Sequence, residues 1–241
     1  MATRPAPSHD ETKDACGLHC GDRMTQKEFH RLYEQMPEDY RAELIGGIVY
    51  EPSPLGWDHG RSQPYLNAAL LAYAGRTPGL EVGENGTAIL SNEDEVQPDL
   101  ILRISPECGG QSGNTKPRPR RAGEPGVRYI KGAPELLAEI AHTSRAIDLH
   151  LKKERYRLAG VLEYVVVCLC PRRIYWFDLR NGTELNCGGD GIFRSVIFPG
   201  LWIDGEGILK PDYDKLMATV VAGMQTTEYQ DFCAKLARFK R

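Results

Sequence analysis

Apolar positions along the chain switch between a spacing of three to four residues and a spacing of two, and the switches mark out helices and strands. Thr25 stands where a helix N-cap is expected. Phe29, Leu32, Tyr33 and Met36 follow at helical intervals until Pro37. Residues 43–51 read as a hairpin, ELI and IVYE joined by Gly46-Gly47. A helix over 59–74 carries Leu66, Leu70 and Tyr73 on one stripe; Pro64 falls near its first turn, where a missing N–H is tolerated. Period-two runs follow at 80–84, 87–90, 99–104 and 135–141. Residues 147–158 form a helix charged on one side and closed by Gly160. Strands at 163–169 and 174–179 pair antiparallel through 170–173, and 182–203 holds weaker strands. From 212 to 240, apolar residues recur at 213, 216, 217, 220 and 224, then at 229, 232, 233, 236 and 239: two amphipathic helices or one broken helix.

Two stretches lack either period. Residues 1–22 read as a mobile tail. Residues 105–131 are rich in Gly, Pro and Arg and long for an internal connection, which marks them as functional or disordered. The order of elements predicts an α/β (α+β) fold, a mixed β-sheet flanked by helices. The expected organisation is a tail at 1–22, a main domain at 23–209 with the insert 105–131, and a helical extension at 210–241.

Composition narrows the class. Of the 241 residues, 41% are hydrophobic, enough for a packed core. The longest apolar run, 164–170, is far below the ~18 residues of a membrane span, and the polar start gives no secretory signal. Seven cysteines, odd in number and loosely spaced, point to a reducing cytoplasm rather than a disulfide framework. Cys168 and Cys170, inside the apolar run, read as small hydrophobes. Cys16-Gly-Leu-His19-Cys20 is half of a zinc site, which needs four ligands; His9 is one further donor. The net charge of −3 excludes polyanion binding by bulk charge, but it is uneven. Residues 115–131 carry Lys116, Arg118, Arg120, Arg121, Arg128 and Lys131 against Glu124, a local +5 that leaves −8 elsewhere.

Three segments carry candidate chemistry. In VQPDLIL, Asp99 opens a β run, where side chains project into the crevice at a sheet end; a Pro-Asp pair is also ordinary turn chemistry. In GAPELLAEIAH, Glu139 interrupts an apolar strand and shares a face with Glu135. A buried carboxylate there needs a partner or a metal, whereas a solvated strand face would need neither. In DLHLKKERY, Lys152 shares one helix face with Asp148 and Tyr156, either as a surface ion pair or as part of a site. Together, two carboxylates at neighbouring strand ends and a lysine on the next helix make a site for a hard divalent cation, Mg²⁺ or Mn²⁺. Such a cation polarises a phosphate oxygen and acidifies a bound water.

These segments, with ELIGGIVYEPSP and His59, resemble in order and spacing the Uma-type putative restriction endonucleases of the PD-(D/E)XK nuclease superfamily. The resemblance runs over residues 24–204. It implies a restriction endonuclease-like core, Asp99 and Glu139 as metal-binding residues, Lys152 as the catalytic lysine, Glu43 as a further acid, and His59 at the start of the following helix. The position two residues after Glu139, where the superfamily often has Lys, is Ala141. The family's Ser-Pro-Ser type turn is replaced by AHTSRAID, one residue shorter. Lys153 is expected to point elsewhere.

The expectation is a Mg²⁺- or Mn²⁺-dependent DNA endonuclease. The basic residues Lys116, Arg118, Arg120 and Arg121 are candidates to grip the backbone. The alternative is an inactive nuclease-fold protein that binds nucleic acid or serves as an assembly module. The C-terminal stripe raises a third reading, a homodimer interface.

Overall fold

The computed structural model describes residues 17–37, 39–52, 56–120 and 123–240. The expectations placed on His9, Cys16, Arg121 and the tail up to residue 16 lie outside these. Residues 17–22 pack rather than trail: Leu18 is buried, and Gly21 N–H donates to the Val49 carbonyl.

The central sheet has the order β12-β11-β10-β9-β6-β3. Its middle strands are β6 (Leu100–Ile104), β9 (Leu136–Ala141), β10 (Glu163–Leu169) and β11 (Arg172–Asp178), flanked by β3 (Leu80–Glu84) and β12 (Thr183–Leu185). β9 and β10 run parallel; the other neighbours are antiparallel, so the sheet is mixed as expected. Both faces of the middle strands are buried, which explains their near-continuous apolar runs.

Alternation sends the two faces to different layers. Leu100, Leu102, Leu136, Ala138, Ile140, Val165 and Trp176 face α2 (Trp57–Ala74) and the C-terminal helices. Ile101, Leu137, Ala141, Tyr164, Val166 and Phe177 face α3 (Lys153–Ala159) and a smaller sheet. That second sheet has the order β2-β1-β5-β4-β8-β7. It comprises β1 (Glu43–Ile45), β2 (Ile48–Tyr50), β4 (Ala88–Ile89), β5 (Glu95–Val96), β7 (Gly113–Asn114) and β8 (Ile130–Lys131). Gly46 and Gly47 turn the β1–β2 hairpin with φ of 60° and 75°, values that glycine adopts freely. α1 (Gln26–Tyr33), capped by Thr25, covers this sheet through Phe29.

Several expectations change. The second helix starts at Trp57, so Pro64 sits inside it rather than in the first turn. The described residues of the 105–131 insert form regular structure: they pair with β4 through β8 and fold back through β7 and the Arg118–Val127 bridge. Cys170 is exposed in the β10–β11 turn, while Cys168 is buried. β13 (Ile192–Arg194) and β14 (Trp202–Asp204) form a two-stranded ribbon leading into α4 (Gly205–Leu209). The C-terminal residues make two helices, α5 (Tyr213–Gly223) and α6 (Thr227–Ala237), each with a side-chain N-cap, Asp212 and Thr226. Leu216, Val220, Met224 and Tyr229 from their stripe join the core beneath α2, while Tyr213 and Phe239 at its two ends stay exposed. No helix among the described residues is long and apolar enough to cross a membrane.

One buried ion pair ties the small sheet to α3. Arg155 Nε and Nη2 donate to the two oxygens of Asp94 at 2.9 and 2.6 Å, and Gly46 N–H donates to Oδ1 at 2.9 Å. Burial alone would raise the Asp94 pKa, but hydrogen bonds from Arg155, Ser91 and Gly46 hold it below the usual carboxylate range. That stabilisation is present above the unfolded carboxylate value and is lost as pH falls through the folded one. Arg155→Ala leaves Asp94 buried without its main partner; it is expected to cost about 3 kcal/mol in urea denaturation at neutral pH. A loss under about 0.5 kcal/mol would show the clamp to be energetically idle.

Candidate active site

The antiparallel register of β6 on β9 sets Leu100 against Ala138, so Asp99, one residue before β6, arrives beside Glu139. Asp99 Oδ2 accepts a hydrogen bond from Ile140 N–H at 2.6 Å. His59, in the first turn of α2, places Nε2 3.2 Å from the same oxygen, and Gln63 Nε2 donates to the Asp99 carbonyl at 3.3 Å. The other ring nitrogen of His59, Nδ1, is buried with no partner among the described residues.

Glu139 lies on the Leu137–Ala141 face, beneath α3. It is buried, as is Glu135, whose carboxylate accepts from the backbone N–H groups of Ile104 and Gln111. The solvated-face reading of this strand is therefore overturned. Glu139 Oε1 accepts from Lys152 Nζ at 2.9 Å and from Tyr156 OH at 3.0 Å. Lys152 Nζ also lies 2.8 Å from Glu43 Oε2 and 4.0 Å from Asp148 Oδ1. Glu43 is fixed in turn by Gln97 N–H, which donates to its Oε1 at 2.7 Å. Lys152 and Asp148 are both buried, so theirs is no surface pair.

The lysine reaches this point from an unusual turn. Residues Ile147–Lys152 are wound as a π-helix before α3 begins. Ser144 anchors its start: its carbonyl accepts from Ile147 and Asp148 N–H, and its hydroxyl donates to Asp148 Oδ2 at 2.6 Å. Such turns place side chains off the α-helical register and recur at functional sites. Lys153 points away and lies over the Phe177 ring at 4.6 Å. Ala141, where the superfamily often has Lys, is fully buried in the apolar layer; the ammonium comes instead from the helix.

Charge in this pocket is unbalanced. Glu43, Glu139 and Asp148 surround one ammonium, and Asp99 adds a further carboxylate beside Glu139. Burial would pull Lys152 down, but Glu139, Glu43 and Asp148 hold it charged well above its usual range. Burial pushes the Glu139 carboxyl well above the usual range; Lys152 opposes this, while Asp99, Glu43 and Asp148 add to it. Burial raises Asp148 as well.

The donor set fits a hard divalent cation. Among the described residues, Asp99 Oδ1 and Glu139 Oε2 accept no protein hydrogen bond, while the partner oxygen of each is held in place. Mg²⁺ commonly takes one or two carboxylates and completes its shell with water and phosphate oxygens. No three His, Cys, Asp or Glu side chains among the described residues form a ready-made metal cage. For the zinc reading, His19 lies 3.6 Å from Asp22, and Cys20 is exposed.

A family model described as "Uma2: Putative restriction endonuclease" matches residues 26–206. The chain belongs to the Uma2 family. None of the curated proteins compared matches it. Among solved structures it is similar to a "putative nuclease" from Anabaena variabilis, with 15% sequence identity and a TM-score of 0.56; the match covers 78% of this chain and 98% of that one. At that identity the likeness is one of fold. The Uma2 pattern thus carries a nuclease-type fold here, and the buried carboxylates, lysine and histidine lie within the matched span.

Sequence reasoning named five residues, and the structure brings them into two touching groups: His59 with Asp99, and Glu43, Glu139 and Lys152 together. The basic residues Lys116, Arg118 and Arg120 lie elsewhere, exposed on the insert hairpin at the β7 edge of the small sheet. Arg120 Nε donates to Tyr129 OH at 3.1 Å. Tyr156 was noted only as sharing a face with Lys152. Its hydroxyl on Glu139 is the contact that the i, i+4 spacing could have suggested.

Proposed function

We propose that this protein is a Mg²⁺- or Mn²⁺-dependent endonuclease that hydrolyses phosphodiester bonds in DNA. The observation that supports this most is the convergence of Asp99, Glu139, Lys152 and Glu43 from four separate elements on one negatively charged, largely buried pocket. Asp99 and Glu139 would hold the cation, which when bound would supply Lewis acidity toward phosphate and an acidified water. Lys152, kept charged by its carboxylates, presents a fixed positive group toward a developing negative charge without reorganising. Glu43 and Tyr156 hold that ammonium and Glu139 Oε1 in place. His59 braces Asp99 against β9.

Supercoiled plasmid incubated with Mg²⁺ or Mn²⁺ tests the proposal, with wild type beside Asp99→Ala and Glu139→Ala. Equal cutting by all three rejects the assignment. Cutting by none, with salt-sensitive binding retained, favours the inactive nucleic-acid-binding alternative.

The insert hairpin is the proposed backbone grip. Charge reversal of Arg118 and Arg120 is expected to weaken binding of a labelled duplex about tenfold and to flatten its salt dependence by about two in log–log slope. Unchanged affinity would remove the hairpin from the interface.

A further inference from the structure

A small cleft of about 40 Å³ opens between the first turns of α2 and the β10–β11 turn. Its walls include Asp58, Arg61 and Ser62 from α2, His142 just past β9, and Leu169 and Arg172 flanking the turn. Arg61 and Arg172 are exposed, and neither makes an ion pair among the described residues; Arg172 Nη1 has a long contact, 3.5 Å, to the Leu209 carbonyl. Two guanidinium groups face one carboxylate, Asp58, so the cleft is positive on balance. The N-terminal end of an 18-residue helix adds its dipole to that charge.

The position is specific. Arg61 and Ser62 follow His59 on α2 by two and three residues, and His142 follows Glu139 by three. Three residues of extended chain span at most ~10 Å, so the cleft adjoins the carboxylates at nucleotide scale. Trp57, the first residue of α2, is 81% exposed and lies one turn before Arg61 on the same helix face. A large ring held in water beside unpaired arginines has no packing role.

We propose that this cleft binds a backbone phosphate of the DNA adjoining the one at Asp99 and Glu139, and that Trp57 stacks on a neighbouring base. This rests on the nuclease reading of those carboxylates. Guanidinium forks match phosphate oxygens with paired hydrogen bonds, and an exposed indole accepts any base face. The insert hairpin lies at the edge of the other sheet, so the cleft is a second and separate phosphate contact.

The test is anisotropy of a labelled DNA duplex with the full chain in EDTA, so that nothing is cut. Arg61→Gln with Arg172→Gln is expected to weaken binding about tenfold and to flatten the salt slope by about one. Wild-type tryptophan emission is expected to be quenched on binding, and Trp57→Phe to abolish the quench, because Trp176 is buried and Trp202 is half-buried beneath the Arg194 guanidinium. Lys235→Gln with Arg238→Gln, the same charge change on exposed C-terminal residues, should alter neither. Wild-type affinity and slope in the cleft pair overturn the proposal, and so does an equal loss in the control pair. Arginine-dependent binding of RNA but not DNA overturns the choice of ligand. The nuclease reading fails separately: a wild type that binds through Arg61 and Arg172 but cuts nothing keeps the cleft and loses the reaction. One that cuts through Asp99 but binds equally well without both arginines loses the cleft alone.

Discussion

Asp99→Asn and Glu139→Gln are each expected to lower the proposed metal-dependent DNA cutting by ~10³-fold or more, about 4 kcal/mol of barrier, while the fold survives. Both halves of that expectation follow from the hydrogen bonds. In Asp99 the occupied oxygen takes Ile140 N–H and faces His59, and an amide oxygen can do the same. In Glu139 the occupied oxygen takes Lys152 and Tyr156, and a glutamine oxygen can accept both. The substitution therefore falls on Asp99 Oδ1 and Glu139 Oε2, where an anionic oxygen becomes an amide nitrogen with no lone pair for a cation. Mn²⁺ titration by calorimetry should show weakened binding in both variants, with melting temperatures near wild type. Full activity in either variant would remove that carboxylate from the reaction. Lost activity together with lost folding would call for the thermal data to be read first.

Asp99 at the head of a β run and Glu139 among apolar neighbours could be singled out locally, but each had an ordinary reading beside it, and the order and spacing shared with the Uma-type family joined them into one site. The mixed sheet followed from the order of helical and strand periods, and the three-to-four spacing at the C-terminus left two helices or one broken helix open. What the sequence hid was set by long-range pairing. The resemblance named Glu43, but its contact with Lys152 had no local signal: it forms because β1 pairs with β5 and the small sheet packs over α3, and β5 is two residues long, too short to leave a pattern. The π-turn at 147–152 was hidden too, because the spacing of Asp148, Lys152 and Tyr156 is also that of an α-helix. The insert read as functional or disordered because Gly, Pro and Arg gave no period; its order comes from pairing with β4. The cleft beside α2 draws on four segments distant in sequence, and Trp57 gave no signal because its exposure is a property of the fold alone.

Lys152→Ala is expected to destabilise the metal-free protein by about 3–5 kcal/mol, the largest stability effect of any single substitution in the pocket. The lysine is one ammonium among three carboxylates, and its removal leaves Glu139 buried near Asp99, Glu43 and Asp148 with no compensating charge. The pH dependence distinguishes this from a simple cavity. Glu139 is already raised well above the usual carboxylate range in the native protein, and loss of Lys152 raises it further. A carboxyl whose folded pKa exceeds its unfolded value contributes stability that is present below the unfolded value and lost as pH rises through the folded one. The variant should therefore be closer to wild type at about pH 5 than at about pH 8, the reverse of ordinary acid denaturation. A cavity left by three methylenes would cost the same at both. Glu139→Gln placed on Lys152→Ala removes the charge at fault, so the double variant should recover part of the loss in urea denaturation at neutral pH. Additive losses, or a cost independent of pH, would mean that the ammonium is not what compensates these acids.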